Sequence, residues 1–285
     1  MQIHHGFYRQ EHLAQPFFEL QRMIFPGLDL AWARDNGFLS PEVVPFGLFE
    51  NGRALSILNA TTSNIVIRDH TIRAVQLGTV ATHPEFRKTG LSRLLINKVF
   101  DRYRDSTDIV FLYANDQVLD FYPKLGFERV LETHFSMPVR DYPANSFRRL
   151  DPKKPQDRET IFRSFDRRVS LSGACGVEDY RLLAKWYALT FFADNLWYHE
   201  DTDVLIVASI EDRSILVHDV VSSIPVPGFF RQFSWPAVEE AILQFVPDQF
   251  EGSFAPMSAP AGDTLFVRGR LPPGIPVKIP VLAHT

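Results

Sequence analysis

The sequence predicts an α+β protein built on mixed sheets and divided into two domains. Three observations lead there. A block from Leu77 to Phe127 runs apolar strand, basic glycine-bearing turn, amphipathic helix, apolar strand. Hairpin patterns and helical stripes flank that block on both sides. The 285 residues exceed the length of one ordinary domain, about 100–200 residues. The order helix, helix, hairpin, helix, strands occurs in each half, without a matching sequence repeat.

The elements follow in chain order. His5–Arg9 reads as a short strand. Leu13, Phe17, Leu20 and Ile24 recur at steps of 4, 3 and 4, the spacing of one helical face, until Pro26-Gly27 stops the helix. A short helical piece lies within Asp29–Asn36. Val43–Phe49 and Ala54–Thr61 form a hairpin about Asn51-Gly52, a pair that tolerates positive φ at both central turn positions. Asn64–Arg68 and Thr71–Gln76 form a second hairpin about Asp69-His70, running on into the strand Leu77–Thr82. After Gly90, the stripe Leu91, Leu94, Leu95, Val99, Tyr103 marks a helix. Ile109–Ala114 is an apolar strand, Gln117–Leu125 a short helix closed by Gly126, and Phe127–Leu131 and Thr133–Val139 are closing strands. Arg140–Glu159, with three prolines and a run of basic residues, reads as a solvated linker between domains at 1–140 and 156–285. Beyond it lie helical patterns at Asp157–Val169 and Val177–Phe192 and strands at Val204–Ile210 and Ile215–Val221. A helix is expected at Pro236–Val246, with proline in its first turn. Short strands follow at Gly252–Ala255 and Leu265–Gly269, and then an irregular tail.

Composition narrows the function. The formal net charge is −4, which disfavours a nucleic-acid-binding role. Cys175 is the single cysteine, so no internal disulfide forms, and without a Cys-His signature it reads as a buried thiol. The start of the chain lacks a signal-peptide pattern. No apolar run approaches the ~18 residues of a membrane span, so a cytoplasmic protein without membrane association is expected. The histidines show no metal-ligand spacing, and no metal is expected.

The block Leu77–Phe127 carries the chemistry. Gly90 lets backbone approach a ligand closely. The helix that follows presents unpaired amide N–H groups and the positive end of its dipole, an anion site reinforced by Arg87 and Lys88. A pyrophosphate suits it. Neither G-x-x-x-x-G-K-[ST] nor G-x-G-x-x-G occurs, which disfavours a nucleotide triphosphatase or a dinucleotide oxidoreductase.

The order Val-Ala-x-His-Pro-Glu-Phe-Arg-x-x-Gly-Leu, helix, apolar strand, Asn115, then Phe-Tyr-x-x-Leu-Gly-Phe resembles the GNAT superfamily of acetyl-CoA-dependent N-acetyltransferases. Arg87, Gly90 and Ser92 fill the family's Gln/Arg-x-x-Gly-x-Gly/Ala loop, with Ser92 replacing its last small residue. Tyr122, Gly126 and Phe127 match its Tyr-x-x-x-Gly-Phe element. The resemblance spans roughly residues 3–139. It implies a GNAT acyl-CoA N-acyltransferase fold, in which the strand before the loop and the strand ending at Asn115 run parallel and part. It implies acetyl-CoA as co-substrate. Arg87 and the amides of Lys88, Thr89, Gly90, Leu91 and Ser92 would hold its pyrophosphate. The strand Val80-Ala81-Thr82 would pair with its pantetheine through Val80 and Thr82. Asn115 would contact the pantetheine or the acetyl arm, and Tyr122 would give its phenol proton to the departing thiolate. An N–H near Val80 would stabilise the oxyanion.

Tyr122 has a bland alternative as an aromatic core residue between Phe121 and Phe127. The base that takes the amine's proton stays open among His83, a water-mediated route, and Glu19 or Asp29. Trp186-Tyr187 and Trp197-Tyr198 read as core or domain interface, and as candidate walls of an acceptor pocket. Asp219 reads as a hydrogen-bonded structural residue. The leading function is transfer of acetyl from acetyl-CoA to a primary amine by direct attack in a ternary complex. The alternative is a non-catalytic CoA-thioester sensor or scaffold. The second half is expected to be an accessory domain, a degenerate GNAT-like copy without its own CoA loop. Acceptor shaping and homodimerisation are the roles open to it.

Overall fold

The computed structural model describes residues 1–68, 70–139, 147–170, 172–258 and 262–284. Its strands are β1 (Gln2–His5), β2 (Val43–Glu50), β3 (Arg53–Ile67), β4 (His70–Thr82), β5 (Ile109–Ala114), β6 (Glu128–Val130), β7 (Thr133–Pro138), β8 (Phe147–Arg149), β9 (Cys175–Glu178), β10 (Leu196–His199), β11 (Val204–Glu211), β12 (Ser214–Val221), β13 (Glu240–Leu243), β14 (Ala255–Ser258) and β15 (Thr264–Arg268). The helices are α1 (Glu11–Ile24), α2 (Leu30–Asp35), α3 (Leu91–Tyr103), α4 (Pro155–Arg167) and α5 (Arg181–Leu189).

Two sheets form. The first has the order β1-β2-β3-β4-β5-β15-β6, with β9 added to β3. The second has the order β14-β7-β13-β12-β11-β10-β8. Each contains a single parallel pair, β4 with β5 and β12 with β13, flanked by antiparallel neighbours. Counted from β1 and from β8, the two sheets follow the same sequence of pairings. They also exchange strands. β15, from late in the chain, fills the sixth place of the first sheet, and β7, from the first half, fills the sixth place of the second.

α3 covers one face of the first sheet, where Leu91, Leu95, Ile96 and Val99 pack on Leu58, Val75, Leu77 and Leu112. On the other face α1 lays Leu13, Phe17 and Leu20 against Ile57 and Ala81. Each fully buried side chain of this kind contributes about 1.5–3 kcal/mol. Farther along that face, Ile65, Ala74, Ile109 and Phe111 join a core with Phe165, Ala184, Leu205 and Leu282 from the second half.

Several expectations need correction. β3 is one strand from Arg53 to Ile67, where two separate strands are expected. Asp69, at the expected turn, lies outside the described residues. Gln117–Leu125 is two 3₁₀ turns, Asp116–Val118 and Tyr122–Leu125. The expected helix at Pro236–Val246 is the strand β13. Ala241 and Leu243 are fully buried and Glu240 is exposed, and this twofold alternation fits a strand held between β12 and β7. Val177–Phe192 opens as strand β9 before α5 begins. Of the expected linker, residues 140–146 lie outside the described residues. The remainder is structured: Leu150 is buried, Arg148 pairs with Asp157 at 2.6 Å and Glu200 at 3.1 Å, and Arg149 pairs with Asp194. Carboxylates remote in sequence thus turn a basic run into edge strand β8.

The tail is anchored as well. Glu132 accepts hydrogen bonds from Tyr113 Oη at 2.7 Å, Lys278 Nζ at 3.0 Å and Ile279 N at 3.3 Å. Lys278 and Glu132 are both almost fully buried, and these extra bonds offset the cost of desolvating the pair. His134, buried on β7, has no hydrogen-bond partner at Nδ1 among the described residues. Asp219 is structural, taking two bonds from Arg168 and one from Tyr180. Cys175 is buried, and burial pushes its thiol up to about 11. Among the described residues no helix is long and apolar enough to cross a membrane, and no group of three or more His, Cys, Asp or Glu could hold a metal.

Burial, and then the Lys278 charge, push the His134 imidazole down to about 4. The unfolded value is near 6.5, so the unfolded chain binds this proton more readily. Stability is full above pH 6.5 and declines as pH falls from there towards 4. His134→Leu should make this decline shallower, by no more than about 3 kcal/mol, in urea midpoints measured across that window. An equally steep decline would remove His134 as its source. The strand exchange makes a second prediction. A fragment ending at residue 140 lacks β15, the strand through which β6 joins its sheet. It should bind a hydrophobic dye and lack a cooperative thermal transition, whereas the full chain should melt in one step by calorimetry.

Candidate active site

The central feature is the parting of β4 and β5. They pair in parallel from Ala74↔Ile109 to Leu77↔Leu112, and then pairing stops although both strands continue. At the same point β4 carries a bulge. Ile57 faces Ala81 and Asn59 faces Gly78, so Leu58 stands against two residues, Thr79 and Val80. One extra residue reverses the alternation of faces. Val75 and Leu77 point towards α3 and Val80 packs there too, while Ala81 packs with α1. Thr79 is released to the opposite face, where it lines a cavity of about 1620 Å³.

That cavity gathers most of the expected residues. Val80, Ala81, Thr82, Arg87, Lys88, Gly90, Leu91, Ser92, Asn115 and Tyr122 all line it. Thr89 is not among the lining residues, and its hydroxyl folds back on the carbonyl of Phe86 at 2.5 Å. The loop is shaped by two left-handed residues, Lys88 at φ 63° and Gly90 at φ 86°. Gly90 caps α3, and the first intrahelical bond runs from Leu94 N to Gly90 O. The amides ahead of Leu94 are therefore free of the helix ladder and available to an anion. Arg87, Lys88 and Arg93 supply positive charge around this end.

Tyr122 is seated by aromatic contacts with Phe121, Phe127 and Phe266, at ring separations of 5.1, 5.8 and 5.7 Å. Both sequence readings hold in part: it packs in the core and also lines the cavity. Burial pushes its phenol up to about 12, so it stays protonated at neutral pH. Asn115 caps the following turn by accepting a bond from Gln117 N at 3.1 Å, and its amide nitrogen is not used in that cap.

None of the three side chains considered as base lines the cavity. His83 has its ring nitrogens engaged by Arg53 and by Glu85 N. Glu19 binds Gln15 on the outside of α1, and Asp29 caps α2 through Trp32 N.

Apart from Trp186 and Tyr187, expected as candidate walls, sequence reasoning missed the rest of the lining. Asn59, Thr61 and Gln76 line it from β3 and β4. Glu178, Trp186, Tyr187 and His284 come from the second half, while the other expected aromatic pair, Trp197-Tyr198, is absent from the lining. His284 stacks on Tyr113 at 3.8 Å, and burial pushes its ring down to about 3, so it is neutral. Gly78, a glycine inside an apolar strand, is the signal that announces the bulge. Glu178 and His284, from the second half, had no local signal.

The corresponding parting in the second sheet is closed. β12 has its own bulge at His218, whose ring bridges Ser209 Oγ at 2.9 Å and Gln244 Oε1 at 2.8 Å. The next residue along β12, Asp219, is held by Arg168 and Tyr180.

Residues 13–130 match the family model of an acetyltransferase (GNAT) domain. The search of curated proteins finds no match. Among solved structures, Eis1 from Mycobacterium abscessus is similar with a TM-score of 0.60 and 17% identity, covering 94% of this chain and 73% of that one. A GCN5-related N-acetyltransferase from Kribbella flavida gives 0.58 and 16%, covering 93% and 70%. Another from Anabaena variabilis gives 0.56 and 11%, covering 93% and 72%. These likenesses extend over both sheets and show the fold of the whole chain. The parted strands, the left-handed loop at α3 and the match of residues 13–130 to an acetyltransferase (GNAT) domain model all fall on the same part of the chain.

Proposed function

We propose that this chain transfers the acetyl group of acetyl-CoA to a primary amine in a ternary complex. One observation carries the reading. The anion-binding start of α3, the unpaired length of β4 and the Tyr122 phenol all open onto one cavity. In this reading the amides of Lys88 to Ser92, with Arg87, hold the pyrophosphate. The pantetheine lies against Val80–Thr82 as an added strand. Asn115 orients the acetyl arm. The amine nitrogen attacks the thioester carbon, and the Val80 N–H takes the negative charge that develops on oxygen. The C–S bond then breaks. Tyr122 gives its proton to the departing sulfur and regains one from the ammonium of the intermediate. A phenol held near 12 is suited to donating and unsuited to resting as an anion.

The second sheet is, in this reading, a degenerate copy of the first. Its repeated pairing order supports common descent, and the His218–Gln244 bridge across its parting supports a single CoA site. Its contribution to catalysis is the acceptor wall.

Tyr122→Phe should lower turnover about ten- to a hundredfold and leave acetyl-CoA affinity nearly unchanged. Stopped-time measurement of released CoA, paired with calorimetry, reads both; unchanged turnover would return Tyr122 to a purely structural role. Gly90→Glu should abolish acetyl-CoA binding. A Cβ at Gly90 meets nothing within 4 Å, so loss of binding would report charge repulsion and left-handed strain at the loop, not a clash with the rest of the fold. Acetyl-CoA binding without turnover across a panel of primary amines would favour a CoA-thioester sensor.

A further inference from the structure

The bulge residue Thr79 is β-branched yet sits at φ 52°, a conformation that such residues rarely adopt. Its surroundings hold it there. Asn59, buried on β3 opposite Gly78, donates from Nδ2 to Thr79 Oγ1 at 3.4 Å. Asn59 Oδ1 accepts from Tyr8 Oη at 2.6 Å. Tyr8 is packed among Phe7, Phe17 and Phe18, and burial keeps its phenol protonated and therefore a donor. The relay runs from the core under α1 to a hydroxyl on the cavity wall, one residue before Val80. A threonine hydroxyl has one proton and two lone pairs, and Asn59 occupies only one lone pair.

We propose that Thr79 orients the acceptor amine, and that Asn59 and Tyr8 are positioning residues acting through it. This rests on the acetyl-transfer reading above. The remaining lone pair of Oγ1 accepts one N–H of the neutral amine, whose first proton has gone to solvent. The nitrogen lone pair is left facing the thioester carbon. The N–C bond forms and the C–S bond breaks as already described, and Thr79 neither gains nor loses a proton. The bulge thus does more than reverse the alternation of faces along β4. It puts the amine acceptor on the residue next to Val80, whose N–H serves as oxyanion donor in the reading above, and both residues line one cavity.

The test uses the full chain, with acetyl-CoA and whichever amine of a panel of ethanolamine, 1-aminohexane, lysine methyl ester and spermidine the wild type acetylates fastest. Thr79→Val keeps the shape and removes the hydroxyl. It should lower kcat/KM for that amine about ten- to a hundredfold, the effect of one hydrogen bond lost from a desolvated site, with the acetyl-CoA Kd unchanged. Thr79→Ser should restore most of the loss, and Tyr8→Phe should reproduce a smaller part of it. Thr79→Gly should raise the denaturant midpoint while lowering turnover, since glycine relieves the left-handed strain but supplies no hydroxyl. Wild-type kinetics in Thr79→Val, or a Thr79→Ser variant no better than it, would overturn the proposal and leave the acetyl-transfer reading standing. A wild-type chain that binds no acetyl-CoA, or acetylates none of the amines, would overturn both.

Discussion

The structure depends on where β4 and β5 stop being hydrogen-bonded to each other. Parallel strands must satisfy their N–H and C=O groups somewhere, and beyond Leu77 and Leu112 these two no longer do so mutually. The chain manages this differently on each side. β4 keeps its other edge on β3 and absorbs the change of direction in the Thr79–Val80 bulge. β5 takes β15 on its other edge and ends in the Asn115 turn. The edges facing the gap remain open onto the cavity, whose wall mixes polar and apolar side chains. A backbone edge of this kind is expensive to leave unpaired, which is why an extended amide-bearing ligand suits it.

The exchanged strands explain how a gap of this size can be tolerated. Phe266 on β15 packs on Tyr122, so this cavity-lining side chain of the first half is seated by a residue of the second. β9 extends the first sheet along β3, and α5 and the tail roof the cavity. The Glu132–Lys278 pair and the bond from Tyr113 fasten that roof to β5. The second sheet retains the pairing order but has its parting bridged by His218 and Gln244. Of two similar frameworks, one is hollow and the other is bolted.

What could be read from the sequence was what is encoded locally. The strand, loop and helix of Leu77–Tyr103 announce themselves because proline, glycine and a 3.6-residue apolar period act over a few residues. Those parts of the site, together with Asn115 and Tyr122, all reach the cavity wall except Thr89. The misread elements were decided by partners remote in the chain. β13 follows a proline, Pro236, that suits a helix start, but it is made a strand by β12 and β7 on either side. Arg148 and Arg149 look solvated until Asp157, Asp194 and Glu200 are brought to them. The bulge lay between these cases: Gly78 marked it, but its consequence for Thr79 depended on the position of Asn59 across the sheet. Of the cavity wall drawn from both halves, the aromatic pair Trp186-Tyr187 left a local trace, while Asn59, Thr61, Gln76, Glu178 and His284 left none.

The place of β15 has a consequence for how the chain acquires its structure. Thr264 pairs with Ala114, a separation of 150 residues. While the chain is being made, at about 5–20 residues per second, the first sheet must wait many seconds with β5 exposed along one edge and β6 unattached. During that interval the edge is a template for any other strand, including the same strand of a neighbouring nascent chain. The order of strands that makes the finished cavity rigid therefore makes its early life hazardous. Yield in the cell should depend on how quickly the last strand arrives as well as on how stable the finished protein is.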